Sequence, residues 1–348
     1  MKIAVVGGGI FGCSIAWYLA QHKHQMDLFE KQPDILQAAS GINQFRLHRG
    51  YHYPRSRETV LSSYESEASF SQAYQPAIMD TGIESYYAIA KEKSLTHHEQ
   101  AKKIWSECKL EHQPVKIDIL NNRKIAQAFK VHEHLIDPVI LKDLCWSYMK
   151  KYRVNVHLNQ EVNVKQLNHY DKVIVAAYAM NNAVIHNTHH QQYQFELCEK
   201  LVLQLPEKFK NKSIVILDGP FTCIDPYGST GYHLMGNVVH CIHHTNTGFH
   251  PEIPEQFRPL LNKGVIKNPP ITNIKKFLAA AEEFFPGIQQ AQHIGSMYTI
   301  RTVLPKREHD DARPTLVEPL DKKTIRVFSG KLGTCMDAAE QVLKLIAQ

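Results

Sequence analysis

Gly7, Gly9 and Gly12 stand at G-x-G-x-x-G spacing inside Lys2-Ile3-Ala4-Val5-Val6-Gly7-Gly8-Gly9-Ile10-Phe11-Gly12, and Asp27-Leu28-Phe29-Glu30 follows. Residues of these types at this spacing bind a pyrophosphate. Glycine has no Cβ to hold the backbone away, so the free amides in the first turn of the helix that follows can face the anion. A carboxylate at Glu30 then accepts hydrogen bonds from an adenosine ribose. The chemistry indicated is dinucleotide binding. It requires a buried strand from Ile3, a helix over 13–22 and a second apolar strand ending in the acid. A glycine-rich turn in an ordinary α/β protein is the alternative, and it leaves Glu30 without a reason.

The rest of the chain must supply the elements that hold this cradle and whatever reacts beside it. With 348 residues, 43% of them hydrophobic, it can bury a core large enough for two intertwined domains. The net charge of +6 favours acidic ligands but is not gathered into a basic tail, so a nucleic-acid partner is not expected. Seven cysteines are scattered without a C-x-x-C, which reads as a reduced, cytoplasmic protein with no zinc or disulfide framework and no metal site. Most of the 21 histidines lie in polar stretches such as Thr96-His97-His98-Glu99 and read as solvated surface. The apolar start runs into Asp27-Leu28-Phe29-Glu30 and reads as a folded strand and helix rather than a signal peptide, and no later apolar run approaches membrane-spanning length.

Three separated pieces have nucleotide-domain character. The first is Ile3 to Glu30. In the second, Asp137-Pro138 starts a helix that runs to about Lys151, followed by a strand over 154–158 and the buried-strand run Asp171-Lys172-Val173-Ile174-Val175-Ala176-Ala177. The third is Thr324-Ile325-Arg326-Val327-Phe328-Ser329-Gly330-Lys331-Leu332-Gly333-Thr334 with a terminal helix. The regions from Asp80 to Ala90 and from Gln194 to His244 instead alternate strands with turns such as Asp218-Gly219-Pro220. The expected fold is α/β: a discontinuous Rossmann domain of glutathione-reductase-like plan from residues 1–75, 136–185 and 296–348, with a mostly antiparallel substrate domain from 76–135 and 186–295.

In this arrangement the chain resembles the D-amino-acid oxidase family of FAD-dependent oxidoreductases, which includes glycine and sarcosine oxidases and L-2-hydroxyglutarate dehydrogenases. Ala39-Ser40-Gly41-Ile42-Asn43 is similar to the family's loop at the flavin pyrophosphate and ring edge. Arg46-Leu47-His48-Arg49-Gly50-Tyr51-His52-Tyr53 is most similar to the hydroxyglutarate branch, matching S-G-x-N…H-x-G-x-x-Y at Ser40, Gly41, Asn43, His48, Gly50 and Tyr53. Ser296-Met297-Tyr298-Thr299 resembles the sarcosine-oxidase segment whose first residue is a cysteine bonded to the flavin. Serine there implies non-covalent FAD.

The resemblance implies cofactor contacts at Gly7, Gly9, Ile10, Phe11, Gly12, Glu30, Lys31, Ser40, Gly41, Asn43, Arg46, Val162, Ala176, Ala177, Gly330, Lys331, Gly333 and Thr334. His48 is the best catalytic base by residue type, because imidazole is poised near neutral pH. Arg301 resembles the family arginine that grips a substrate carboxylate, and Tyr53, Tyr51 and Tyr232 are pocket candidates. Of Arg46 and Arg49, alternating side-chain directions favour only one at the site. Thr334 and Asp337 read as a capping-box-like helix start. Two departures from the family pattern stand out: Tyr178 where glycine usually follows the Ala-Ala strand end, and a C-terminal glycine turn without the usual spacing. The reading is oxidation of a C–N or C–O bond in a small amino or 2-hydroxy carboxylic acid, with O2, a quinone or another carrier as electron acceptor. The alternatives are an FAD-dependent tRNA-base-modifying oxidase and a flavin-binding protein without turnover.

Overall fold

The computed structural model describes residues 1–79, 82–305 and 314–347. Along the chain the strands are β1 (Lys2–Val6), β2 (Gln25–Phe29), β3 (Arg46–Leu47), β4 (Ile78–Met79), β5 (Glu84–Ala90), β6 (His112–Val115), β7 (Ile125–Val131), β8 (His134–Ile136), β9 (Asn155–His157), β10 (Lys172–Val175), β11 (Tyr193–Gln204), β12 (Lys212–Leu217), β13 (Thr222–Pro226), β14 (His233–Asn237), β15 (Ile242–Gly248), β16 (Gln292–Val303), β17 (Thr315–Pro319) and β18 (Thr324–Ser329). The α-helices are α1 (Ile10–Gln21), α2 (Arg57–Tyr74), α3 (His98–Glu107), α4 (Pro138–Lys151), α5 (Asn181–Val184), α6 (Ile274–Glu282) and α7 (Cys335–Ile346).

The apolar strands β1 and β10 pair in parallel, with β2 on the other edge of β1, and the sheet runs β17-β18-β10-β1-β2-β9. Ile3, Val5, Leu28 and Ile174 pack beneath α1 and α7 in one core. Local chemistry fixes the helix starts. Asp137 accepts from the amides of Val139 (2.9 Å) and Ile140 (3.2 Å), and Pro138 takes the first helical position, where no donor is lost.

The second sheet is built on β11. Its long strand carries β16 along one edge, and β15 then β14 along the other, followed by β13, β12, β5, β7 and β6. All its pairings are antiparallel except β12 with β5. The expected third nucleotide-domain piece, 296–348, is therefore divided. Its β16 segment joins the antiparallel sheet, because the alternating polar and apolar residues of that strand suit one packed and one open face, and only the chain from β17 onward joins the parallel sheet. Asp80, the expected start of the strand-and-turn stretch to Ala90, lies outside the described residues.

A buried ion pair ties the second sheet to a small antiparallel sheet of order β3-β8-β4. Arg46 on β3 donates from Nε and Nη2 to Asp225 on β13 (2.8 and 2.7 Å), and Ser213 and Gln44 also donate to that carboxylate (2.6 and 3.0 Å).

Candidate active site

The glycine turn sits at the ends of β1, β2 and β10. Gly7 has φ +110°, and a Cβ there would lie 2.5 Å from the Ala176 carbonyl oxygen; one on Gly12 would lie 1.8 Å from the carbonyl oxygen of Gly7. These two glycines let helix and strands close on each other. Gly9 is different: a Cβ there would enter the space beside the Ser40 hydroxyl, 3.1 Å away. That hydroxyl accepts from the Ile10 amide at 3.0 Å, and the Glu30 carboxylate accepts from the amides of Gly8 (2.6 Å) and Gln32 (2.8 Å).

From this turn a cavity of about 850 Å³ runs to the antiparallel sheet. Gly7, Gly9, Ile10, Phe11, Glu30, Lys31, Ser40, Asn43, Arg46, His48, Val162, Ala176, Ala177, Arg301, Gly330 and Lys331 all line it. Asn43 also braces its own loop, donating to the carbonyls of Ala39 (3.0 Å) and Ser40 (3.1 Å) and accepting from the Phe45 amide (2.6 Å).

Other expected residues stand elsewhere. Gly12 and Gly41 are outside the lining, and the Gly41 amide closes a turn onto Ala38 (2.8 Å). Gly333 and Thr334 border a separate void of about 10 Å³ beside Arg46, His48 and Lys331. Thr334 bonds Thr315 (2.7 Å) rather than capping α7, and Asp337 accepts from Ser66 and Ser69 of α2. Tyr51, Tyr53 and Tyr232 do not line the cavity. Tyr51 donates to the Glu111 carbonyl (2.5 Å), and Tyr53 packs edge-on against the His48 ring at 5.6 Å between centroids. Arg49 turns away to Glu67 (3.1 Å) while Arg46 and His48 line the cavity, as strand alternation requires.

Several cations that reach the cavity are already engaged. The Arg46 guanidinium is held by Asp225. Arg301 binds Glu196, its cross-strand neighbour. The Lys331 ammonium donates to Ser62 (2.7 Å) and Ser63 (3.4 Å), and burial pulls its pKa down to about 8 against the opposing charges of Asp337 and Glu58. Tyr178 does line the cavity and takes the left-handed conformation that glycine would, with φ +52°. Its ring stacks on Phe328, and its hydroxyl donates to the Thr302 carbonyl (2.8 Å) and accepts from the Thr302 amide (2.9 Å).

His48 is positioned by a carboxylate that the sequence did not single out. Its Nδ1 lies 3.4 Å from Glu133 Oε1, an ion-pair distance without hydrogen-bond geometry, and Nδ1 is shielded from solvent. Glu133 is fixed by Tyr87 (2.6 Å) and by the Arg49 amide (3.2 Å). Burial alone would raise the Glu133 pKa, but the charge and contact of His48, then Arg46 and Tyr87, outweigh it and hold the carboxyl below its ordinary value.

The far wall is the open face of the second sheet, where Cys198 of β11 stands opposite Thr299 of β16, Lys200 opposite Met297, and Arg301 opposite Glu196. Ser296 is not on this wall. It is fully buried and donates to Glu199 (2.6 Å). The thiol at the cavity is Cys198, whose place no spacing rule revealed. A signal was present for Lys200: Glu196, Glu199 and Lys200 interrupt an otherwise apolar strand, and charges in such a strand need a reason.

A cavity that opens on a dinucleotide cradle and closes against an antiparallel sheet is the plan of a two-domain nucleotide-dependent oxidoreductase. Sequence similarity makes the class specific: the chain belongs to the DAO family of FAD dependent oxidoreductases, whose profile matches residues 2–319. A segment of 79 residues, 23% of the chain, is 40% identical to the FAD-dependent monooxygenase kojA of Aspergillus flavus, and spans 18% of that protein's length. In fold, the chain is similar to glycine oxidase from Geobacillus kaustophilus (TM-score 0.75, 15% identity, 99% of this chain and 94% of that one). It is similar also to FAD-bound L-alpha-glycerophosphate oxidase from Mycoplasma pneumoniae (TM-score 0.73, 15% identity, 100% and 94%). The cofactor is FAD, and the residues present fit it: the Gly9 cradle and the amides of α1 for the pyrophosphate, Glu30 for the ribose.

Proposed function

We propose that this flavoenzyme oxidises a C–N or C–O bond next to a carboxylate in a small substrate, with His48 as the base. The observation that carries the reading is the His48–Glu133 pair, whose histidine lines the same cavity as the nucleotide cradle while the carboxylate stands buried behind it. FAD, when bound, supplies the acceptor for the hydride leaving the substrate carbon. The proton on the substrate nitrogen or oxygen must go elsewhere. A carboxylate beside Nδ1 favours the tautomer with the proton on Nδ1, leaving the Nε2 lone pair to take the substrate proton. Glu133, held ionised, then stabilises the imidazolium that forms.

The cationic side chains of the cavity favour an anionic substrate. The glycine oxidase likeness supports an amino acid, and the hydroxyglutarate-like His48 segment supports a 2-hydroxy acid. FAD is proposed to be held without a covalent bond, so denaturation should release it free of the Cys198 peptide. Anaerobic mixing with a panel of amino and hydroxy acids tests the reading: at least one should bleach the flavin absorbance. Bleaching only by uncharged amines or alcohols would remove the carboxylate from the proposal, and bleaching by none would remove the reaction.

A further inference from the structure

Resting on that reading of a carboxylate substrate, we propose that Lys200 is the residue that holds the carboxylate. Arg46, Arg301 and Lys331 are bonded to Asp225, Glu196 and the α2 serines. Lys31, Arg258 and Lys263 are exposed at the cavity's edges. Lys200 is half-buried on the wall and, among the described residues, makes no ion pair or hydrogen bond. Its neighbour Glu199 does not neutralise it, because successive strand residues face opposite sides and the Glu199 carboxylate is fully buried among its own donors. An ammonium drawn partly out of water without a counter-ion costs stability. A bound carboxylate is the partner this position lacks.

The placement agrees with the proposed base. The Lys200 Nζ lies 3.2 Å, and the Gln44 Nε2 3.0 Å, from the point where a Cβ on Gly236 would stand. Gln44 donates to Asp225, which binds Arg46, so the ammonium sits where β14 meets the chain segment that continues into His48. Gly236, buried in the middle of β14, keeps that space open, as a strand glycine does where other groups approach closely. Lysine suits the task as a compact charge with three donors that can follow a small carboxylate. Arg301, tied to Glu196 four residues earlier on β11, forms an electroneutral pair farther along the strand.

The test uses the FAD-loaded enzyme. Acetate, which has the carboxylate but no oxidisable amine or hydroxyl, is titrated against the flavin absorbance, with acetamide as the uncharged control. Lys200→Met should weaken acetate binding about 30- to 100-fold, the range of a charge-assisted hydrogen bond, and leave acetamide unchanged. The concentration of reducing acid needed for half reduction should rise by the same factor, with a far smaller fall in limiting rate. Lys200→Arg should recover most of the loss. Because the native ammonium makes no ion pair or hydrogen bond among the described residues, Lys200→Met should also unfold at no lower temperature than the parent, whereas replacing a structural lysine would lower it. Failure of Lys200→Met to fold, or parent-like acetate binding in it alongside loss in Arg301→Met, would overturn the proposal. If the parent binds no carboxylate and is reduced by uncharged substrates, the substrate reading falls and Lys200 with it, an outcome read on the parent alone.

Discussion

Glu133 and Glu199 are both buried carboxylates facing a histidine, yet their surroundings differ. Glu199 is saturated. His243 (2.9 Å) and the Asn273 amide (2.9 Å) donate to one oxygen, and Thr272 (2.5 Å), Ser296 (2.6 Å) and Tyr298 (3.3 Å) donate to the other. The His243 side chain is 7% exposed, and neither residue touches the cavity. Glu133 has fewer donors, and its histidine, 24% exposed, stands 3.4 Å away on the cavity wall. The same two residue types thus make a staple in one place and a base in the other. What separates them is unused hydrogen-bonding capacity beside open space, since a fully satisfied network holds its proton and its geometry fixed.

The widest gap between the two pairs should appear on removing the histidine that faces the cavity. His48→Ala should keep its flavin and lose about 10²–10⁴-fold in the limiting rate of anaerobic flavin reduction, the share of a general base. An unchanged rate would make the His48 pair as structural as the other. The opposite phenotype is expected from Glu199→Ala. Leaving buried donors and His243 without their carboxylate should cost about 3–5 kcal/mol of stability by urea unfolding, with reduction per folded molecule close to parent. Rate loss in that variant without loss of stability would erase the distinction.

Glu133→Gln is a finer probe. It keeps the shape but withdraws the charge that orients and stabilises the imidazole, so the limiting rate should fall about 10²-fold, the lower end of the general-base range. The smallest effect is on acid stability, where the two carboxylates should behave alike. At Glu199 burial would raise the pKa, but the hydrogen bond from His243, then the Asn273 amide and the hydroxyls, outweigh it, so both groups titrate below the ordinary 4.5. A lowered value in the folded protein means that each contribution is fully present above the ordinary value of 4.5 and is lost as pH falls from there through the lowered value. Unfolding free energies measured from pH 6 downward should therefore decline below about 4.5, and less steeply in Glu199→Gln. A flat profile in the parent would show that neither pair is ionised as described.

The part legible in the sequence was the part made by neighbours in the chain. The strand, glycine turn, helix and acid from Ile3 to Glu30 form their site through backbone geometry over one short stretch, and the Asp137-Pro138 helix start is equally local. Tyr178 shows the limit of such rules: the left-handed turn is made without glycine, because stacking on Phe328 and two hydrogen bonds to Thr302 hold it in place.

The residue types therefore determined the nucleotide cradle, the α/β plan and the choice of His48 as the one imidazole worth testing. Only the folded chain decided that Glu133 stands behind His48, that Arg46 and Arg301 are bound to Asp225 and Glu196, and that Lys200 is left open. Those pairings join β3 to β13, β11 to β16, and the segment after β3 to the one before β8, all distant in sequence. The availability of a charge depends on which other charges the sheets bring beside it, and that is set by strand register and packing rather than by the residue's own type or spacing.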